Sequence, residues 1–440
     1  MRSSVPAILC VMGLLFGLNA RASADDYDLV VITPHNVHIQ QEFEHAFGKH
    51  VGKPLSVRWI KQGTGQLIQL LDAKERAASG GSLGFDVFFG GGVPDHDLAA
   101  AKGYLEPPNL PDEILGAIPS EIAGLPNYDE KRLWVSTAIS SFGILVNQRG
   151  LRNQGLDDVT SWKDLADPKM FSWVILVDPR KSASVQVSYE AVLQQYGWAE
   201  GWVVLSQMAA NSRLIADSSS AVPNEVATGD VLAGPCIDFY ASARIAQVGK
   251  DILHYVHPTG GTAVTPDPIS MLRHPPHRKM AERFIAFVLS PAGQRVYSLP
   301  AGVPGGPQEH ALFRLPVRSD MYSTDREARH VANPYEMAAE GKFLILDGNL
   351  QRTRVVVLAE LMGAGLVDLH DELRSTWKAL IDGGMKPDAL ALWKKPLLDE
   401  SEVLALAKQF DDGGRTARKQ TRRWIRRFQE KYEQVKALAR

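Results

Sequence analysis

The feature that most constrains this chain is a recurring alternation of short apolar runs and helical stripes. Tyr27 to Thr33 is a β-branched run, broken by Thr33-Pro34-His35-Asn36, and Ile39, Phe43, Ala46 and Phe47 then recur at helical spacing. Leu55 to Ile60 followed by Gly63-Thr64-Gly65 and a helix over Gln66–Arg76 repeats the scheme, and Phe85 to Phe89 leads into Gly90-Gly91-Gly92. Strands separated by helices predict a mainly parallel sheet covered on both faces. Leu133 to Asn147 reads as a strand or strand pair leading away from this unit. Further strands are predicted at Trp173–Val177 and Val231–Tyr240, and at Ile269–Leu272. Helices are predicted over Ser184–Tyr196, Ala199–Ala210 and Lys279–Leu289.

From about Pro316 the pattern becomes purely helical: Val355–Met362, Leu369–Ile381, Glu402–Phe410 and Arg418–Ala439. The last segment, Arg415 to Arg440, carries ten basic and two acidic residues around a stripe of Trp424, Ile425, Phe428, Tyr432 and Val435. Such a helix can lie on an anionic membrane, or pack its stripe on its own protein with the basic face wet; packing is the reading we adopt.

The first 24 residues read as a cleavable export signal. Arg2 is the positive start, Val5–Leu18 the short apolar run, and Ala22-Ser23-Ala24 the cleavage site. No later stretch reaches the roughly 18 to 20 apolar residues of a membrane helix. Cleavage would remove Cys10, leave Cys236 without an internal disulfide partner, and take the net charge from −2 to −4. That balance offers no global field for nucleic acid, and no nucleic-acid partner is expected.

Gly80-Gly81-Ser82-Leu83-Gly84 matches the nucleophile pattern G-x-S-x-G, but a helix precedes it and a strand follows, the reverse of what that motif requires. No phosphate-binding G-x-x-x-x-G-K-[ST] and no zinc-binding H-E-x-x-H is present. His38, Glu42 and His45 share helical spacing; with Ile39, Phe43 and Phe47 buried, the trio should face water rather than hold a metal. His274 and His277 are expected in an exposed loop.

The order of motifs "DLVVITPHN", "GFDVFFGGG", "STAISSFGILVNQ", "SWKDLADPKMFSWVILVDPRKSAS", "GPCIDFYASAR" and "AERFIAFVLSPAGQRVYSL" resembles the bacterial periplasmic solute-binding proteins of ABC importers. Within them it is similar to the branch of ferric-iron and organic-phosphate binders, over roughly residues 27 to 320. The resemblance implies an α/β, two-lobed periplasmic binding protein fold (type II) with a C-terminal helical extension. Lobe 1 would take 25–137 plus 254–320, lobe 2 would take 138–253, and the extension 321–440. It also implies a periplasmic location, an inner-membrane ABC permease as partner, no enzymatic activity and no cofactor; a monomer is expected.

Candidate ligand contacts follow from strand-to-helix turns, where exposed N–H groups and the helix dipole favour anions. Ser182 and Ser184 open the helix after Trp173–Val177, beside Arg180 and Lys181, and the resemblance places ligand there; the plain alternative is an N-cap with solvated charges. Ser219 in Ser218-Ser219-Ser220 has the same physics. Thr33, His35 and Asn36 lie at the carboxyl end of the first strand, where open α/β sheets hold ligands, and Gly91 would let backbone approach closely. Asp238 and Tyr240 complete the set. Tyr240 resembles one member of the tyrosine pair of ferric binders, whose other position here is Phe239. The ligand is therefore read as a small oxyanion such as an organic phosphate or phosphonate, with Fe3+ as the alternative (Tyr240 and His35 then being metal ligands). A sensor partner of a membrane histidine kinase is a third reading. If the export signal is cut as read, intact-mass measurement of the secreted protein will place its first residue at Asp25.

Overall fold

A computed structural model describes residues 27–324, 331–410 and 415–440. The predicted export signal lies outside the described residues. Nine strands carry the architecture: β1 Leu29–Thr33, β2 Val57–Lys61, β3 Val87–Phe89, β4 Trp134–Asn147, β5 Val174–Val177, β6 Ser212–Ala216, β7 Ala233–Ile237, β8 Leu253–Val256 and β9 Ala263–Leu272. They form one path in the order β2-β1-β3-β9-β4-β7-β5-β6, with β8 added to the side of β4.

The sheet is parallel only towards its two ends, where β1 pairs β2 and β3, and β5 pairs β6 and β7. At its centre β4 runs antiparallel to β9, β7 and β8. The expectation of a mainly parallel sheet is thus corrected to a mixed one. Its cause is the predicted Leu133–Asn147 run, in which Trp134–Asn147 forms a single 14-residue strand, every residue buried, long enough to serve both halves. Helices cover each half: α1 Val37–Val51, α2 Thr64–Ala78, α3 Ala183–Tyr196, α4 Trp198–Asn211, α5 Asp238–Val248 and α6 Arg278–Leu289. The predicted strand over Val231–Tyr240 ends at Ile237, and Asp238 begins α5 as its first residue, where a carboxylate is favoured by the helix dipole; its side chain accepts the Phe239 N–H (2.7 Å).

Two lobes have separate cores. Phe43, Phe47, Phe89, Phe284 and Tyr297 centre the first, built from α1, β1, β3 and α6. Trp162, Val174, Ile175, Trp202 and Met208 centre the second. The C-terminal helices α7 Gly348–Met362, α8 His370–Asp382, α9 Pro387–Lys394, α10 Glu400–Phe410 and α11 Arg415–Ala439 belong to the second core rather than to a separate domain. Trp424, Phe428, Tyr432 and Val435 are all buried, with Phe428 stacked 6.3 Å from Trp202 and Trp424 stacked 5.6 Å from Phe410. The α11 stripe is therefore a core element and the packing reading holds. Arg354 on α7, 1% exposed, pairs with buried Glu190 on α3 (2.7 Å) and with Glu400 on α10.

Before α7 the chain crosses between the lobes. Leu344 N–H donates to Thr262 O (2.9 Å), while Leu344 and Leu346 pack with Phe142, Ala191 and Ala263. Arg352 then reaches Asp97 of the first lobe at 3.7 Å. Two surface assignments also change. Glu42 is buried, not solvated, because its carboxylate accepts the backbone N–H groups of Gln308, Glu309 and His310 (2.5–2.9 Å). His277 is partly covered and its Nδ1 lies 2.9 Å from buried Asp86. Because α11 is core, Phe428→Ala should cost about 3–5 kcal/mol, the range for emptying a buried aromatic site, read from chemical denaturation.

Candidate functional site

In the second lobe three parallel strands end side by side. β5 runs into Asp178 and then α3, β6 into Asp217–Ser220, and β7 into Asp238 and α5. Ser182 is the residue before α3, but its hydroxyl makes no capping bond. Instead the hydroxyls of Ser182, Ser184 and Ser219 form a triangle, 3.0 Å for Ser182–Ser184, 2.8 Å for Ser182–Ser219 and 2.7 Å for Ser184–Ser219. Three hydroxyls thus meet at the amino end of a 14-residue helix, where partial positive charge accumulates. The neighbouring cations are committed elsewhere. Arg180 is held by Asp178 (2.9 Å) and by Asp368 of the C-terminal region (2.8 Å), and Lys181 by Asp217 (2.6 Å).

The first lobe presents the ends of β1 and β3. Thr33 is fully buried; its hydroxyl donates to Phe89 O (2.6 Å) and accepts from His35 N–H (3.0 Å). Asn36 caps α1, accepting from Ile39 N–H at 3.1 Å. Both therefore shape the turn, and His35 is the side chain they aim. Its ring sits edge-on to Phe89, and Nε2 lies 3.6 Å from Asp267 Oδ2 without a hydrogen-bond partner. Gly90 has φ +84°, and a Cβ there would fall 2.1 Å from His35 Nε2. Glycine is required on both counts. Gly91 N–H donates to Asp267 Oδ1 at 2.9 Å.

Asp267 and Arg314 join the two lobes. A register shift in the β4–β9 pairing falls between Asp267 and Pro268, and such irregularities re-aim a side chain. The Asp267 carboxylate forms a buried ion pair with Arg314, which is 3% exposed. Across the interface the Arg314 guanidinium stands 4.5 Å from the centre of the Phe239 ring in the second lobe. Phe239 in turn packs on Tyr240 at 4.6 Å. Asp238 accepts from Ser141 N–H (2.8 Å) and Oγ (3.0 Å). His35, Gly91, Asp238 and Tyr240 thus share one neighbourhood through Asp267 and Arg314, while the serine triangle occupies the next strand ends of the same sheet edge. Asp267 and Arg314 belong to no motif of the sequence. Their signal was a charge inside an apolar run: Asp267 between two prolines in Val264–Met271, and Arg314 within Ala311–Val317.

Burial sets the electrostatics. It pushes His35 down to about 4, outweighing the nearby Asp267 carboxylate, so the ring is neutral at physiological pH. His96, stacked on Phe88 at 4.1 Å and hydrogen-bonded to Ser270, is also held at about 4 by burial, as is His257. Burial lifts Asp238 to about 6 and raises the Tyr240 phenol, which disfavours its phenolate.

This architecture, with strand ends of two lobes facing one another across a buried polar bridge, defines a two-lobed type II periplasmic binding protein. The chain belongs to a family described as bacterial extracellular solute-binding proteins, whose pattern matches residues 30–298. Among curated relatives, it is 30% identical over 162 residues to the phosphoglycerate transport regulatory protein PgtC of Salmonella typhimurium, covering 37% of this chain. The match spans 40% of the length of that relative. The fold is similar to the periplasmic binding protein AfuA of Actinobacillus pleuropneumoniae with fructose-6-phosphate bound (TM-score 0.58, 18% identity, 79% of this chain and 97% of that one). It is also similar to iron-bound HitA of Pseudomonas aeruginosa (TM-score 0.52, 19% identity, 68% and 98%).

The buried histidines give stability a defined pH dependence. Their folded pKa of about 4 lies below the free value of 6.5, so only the unfolded chain takes up protons between these limits. Their contribution is complete above about 6.5 and is lost as pH falls towards 4. Asp238 acts in the opposite sense, its folded pKa being raised, so its contribution is present in acid and lost as pH rises through about 6. Three histidines outweigh one aspartate. Stability should therefore fall on acidification below pH about 6, by up to about 1.4 kcal/mol per pH unit for each histidine. Denaturation curves of His35→Gln, which loses one of these groups and no hydrogen bond, should show a shallower fall.

Proposed function

We propose that this protein captures a small oxyanion, of the organic phosphate or phosphonate class, between its lobes and hands it to an inner-membrane ABC permease. It performs no covalent chemistry. The observation that carries this reading is the Ser182–Ser184–Ser219 triangle at the start of α3. The three hydroxyls satisfy only one another, so a phosphate oxygen can replace these bonds with charge-assisted ones at no cost in unpaired groups. Backbone N–H groups at the same helix end add partial positive charge. Arg314 supports the sign of the ligand, since its charge reaches His35, Asp238 and Tyr240.

Of the other candidate contacts, His35 offers a neutral imidazole, Gly91 a backbone edge, and Asp238 a carboxyl that keeps its proton up to about pH 6. Thr33 and Asn36 act as positioning residues through the bonds described above. The alternative cargo, Fe3+, finds less support. It calls for anionic oxygen ligands, whereas burial raises the Tyr240 phenol, Phe239 supplies no oxygen, and the Arg314 cation stands beside both. AfuA, with its bound sugar phosphate, and HitA, with iron, illustrate that one fold accommodates either class.

Titration with a panel of organic phosphates and with ferric citrate tests the assignment. Ser184→Ala should weaken organic-phosphate binding about ten- to a hundredfold, the loss of one hydrogen bond to a charged group. Tyr240→Phe should change it less. A coloured protein whose absorption band vanishes in Tyr240→Phe, with Ser184→Ala unaffected, would establish iron instead.

A further inference from the structure

With its apolar stripe buried, α11 leaves one face without any assigned role. The cations of its second half are used by the fold itself. Arg427 donates to Leu397 O (3.1 Å), Lys431 to Trp393 O (2.9 Å) and Lys395 O (2.5 Å), and Lys436 to Ser375 Oγ (3.1 Å). In its first half the side chains of Arg418, Lys419, Arg422, Arg423 and Arg426 are exposed, and none makes an ion pair among the described residues. At 100° per residue these five fall on one face, directly opposite Trp424 and Phe428. They form a ridge about 12 Å long at 1.5 Å per residue.

Folding does not account for this ridge. Arg418–Arg422, Lys419–Arg423 and Arg422–Arg426 are like-charged pairs four residues apart, which destabilise a helix. Cations in the first half also sit at the wrong end of the helix dipole. The chain as a whole carries a net charge of −2, so five adjacent cations are a local concentration against the general trend.

We infer that the ridge on α11 is an electrostatic docking surface for anionic phospholipid headgroups, independent of the solute site. The choice of a lipid surface over an acidic protein follows from what accompanies the charge. Protein interfaces draw their affinity from buried aromatic or apolar anchors. Among the described residues the exposed large apolar side chains are Val37, Leu98, Ile345, Val356 and Leu438, and none lies in this half of α11. A bilayer requires only charge density, and each Lys or Arg near an anionic surface adds a similar increment. Without an apolar wedge the protein would rest on the headgroups reversibly, and salt would release it. Rigid attachment of α11 to the second-lobe core means that binding would orient the whole molecule on the membrane.

The test is sedimentation of the purified protein with vesicles of phosphatidylcholine containing about 30 mol % phosphatidylglycerol, at low and at physiological salt, with pure phosphatidylcholine as comparison. Binding is expected on the anionic vesicles only, weakening as salt rises. Each neutralised cation should reduce partitioning about fivefold. The variant Arg418→Gln/Lys419→Gln/Arg422→Gln/Arg423→Gln/Arg426→Gln should lose binding while its thermal unfolding stays the same or rises. A second variant neutralising five exposed cations elsewhere (Lys49, Lys61, Lys131, Lys279 and Arg283) should keep it. Equal loss in both variants would reduce the effect to net charge and overturn the proposal. So would absence of binding at low salt, or ridge-dependent binding to polyglutamate with none to the vesicles, which would assign the ridge to an acidic protein.

Discussion

The pairing of β4 with β9 is the interaction on which the rest of the molecule depends. β4 is a single buried strand whose length exceeds that of any other in the sheet, and it pairs along its course with β9, β7 and β8. Because it runs antiparallel to all three, it can receive a parallel unit on either side, which is how one continuous sheet supports two separate cores. The register shift at Asp267 belongs to the same ladder. It turns one carboxylate out of the strand toward Gly91 and His35, and gives Arg314 a buried partner. The geometry of the site is a consequence of the sheet.

Removing water from that bridge makes its electrostatics decisive. A buried ion pair contributes little net stability, because desolvation offsets the attraction, but it fixes the position of both charges. Arg314 stands between Asp267 of one lobe and Phe239 of the other. A cation so placed acts on His35, Asp238 and Tyr240 together with burial, which keeps His35 neutral. The serine triangle supplies directional bonds that a lone charge cannot.

The C-terminal helices change the mechanics of the second lobe. Arg354 joins α7 to α3 and α10, and α11 closes the same core. The segment carrying Leu344 and Leu346 crosses the region between the lobes, and Arg352 touches the first lobe. Movement of one lobe against the other must therefore carry this crossing segment with it.

Much of this was legible in the sequence. The apolar runs at Leu29–Thr33 and Val174–Val177 are strands whatever surrounds them, because β-branched residues in short runs have few other uses. The stripe of Trp424, Phe428 and Tyr432 announced a packed helix, and the serines at positions 182, 184 and 219 announced hydroxyls at strand ends. What periodicity does not encode is which distant residues meet. Glu42 was read as solvated from its place on α1, yet three backbone N–H groups from residues 308–310 close over it. Asp267 and Arg314 are 47 positions apart, and Ser219 lies 35 from Ser184; only the folded sheet brings them together. Sequence by itself determined the elements and the chemical groups available, since both are local properties of side chains. Tertiary structure decided which charges are paired, which are neutral and which remain free, because burial and partnership depend on contacts between segments far apart in the chain.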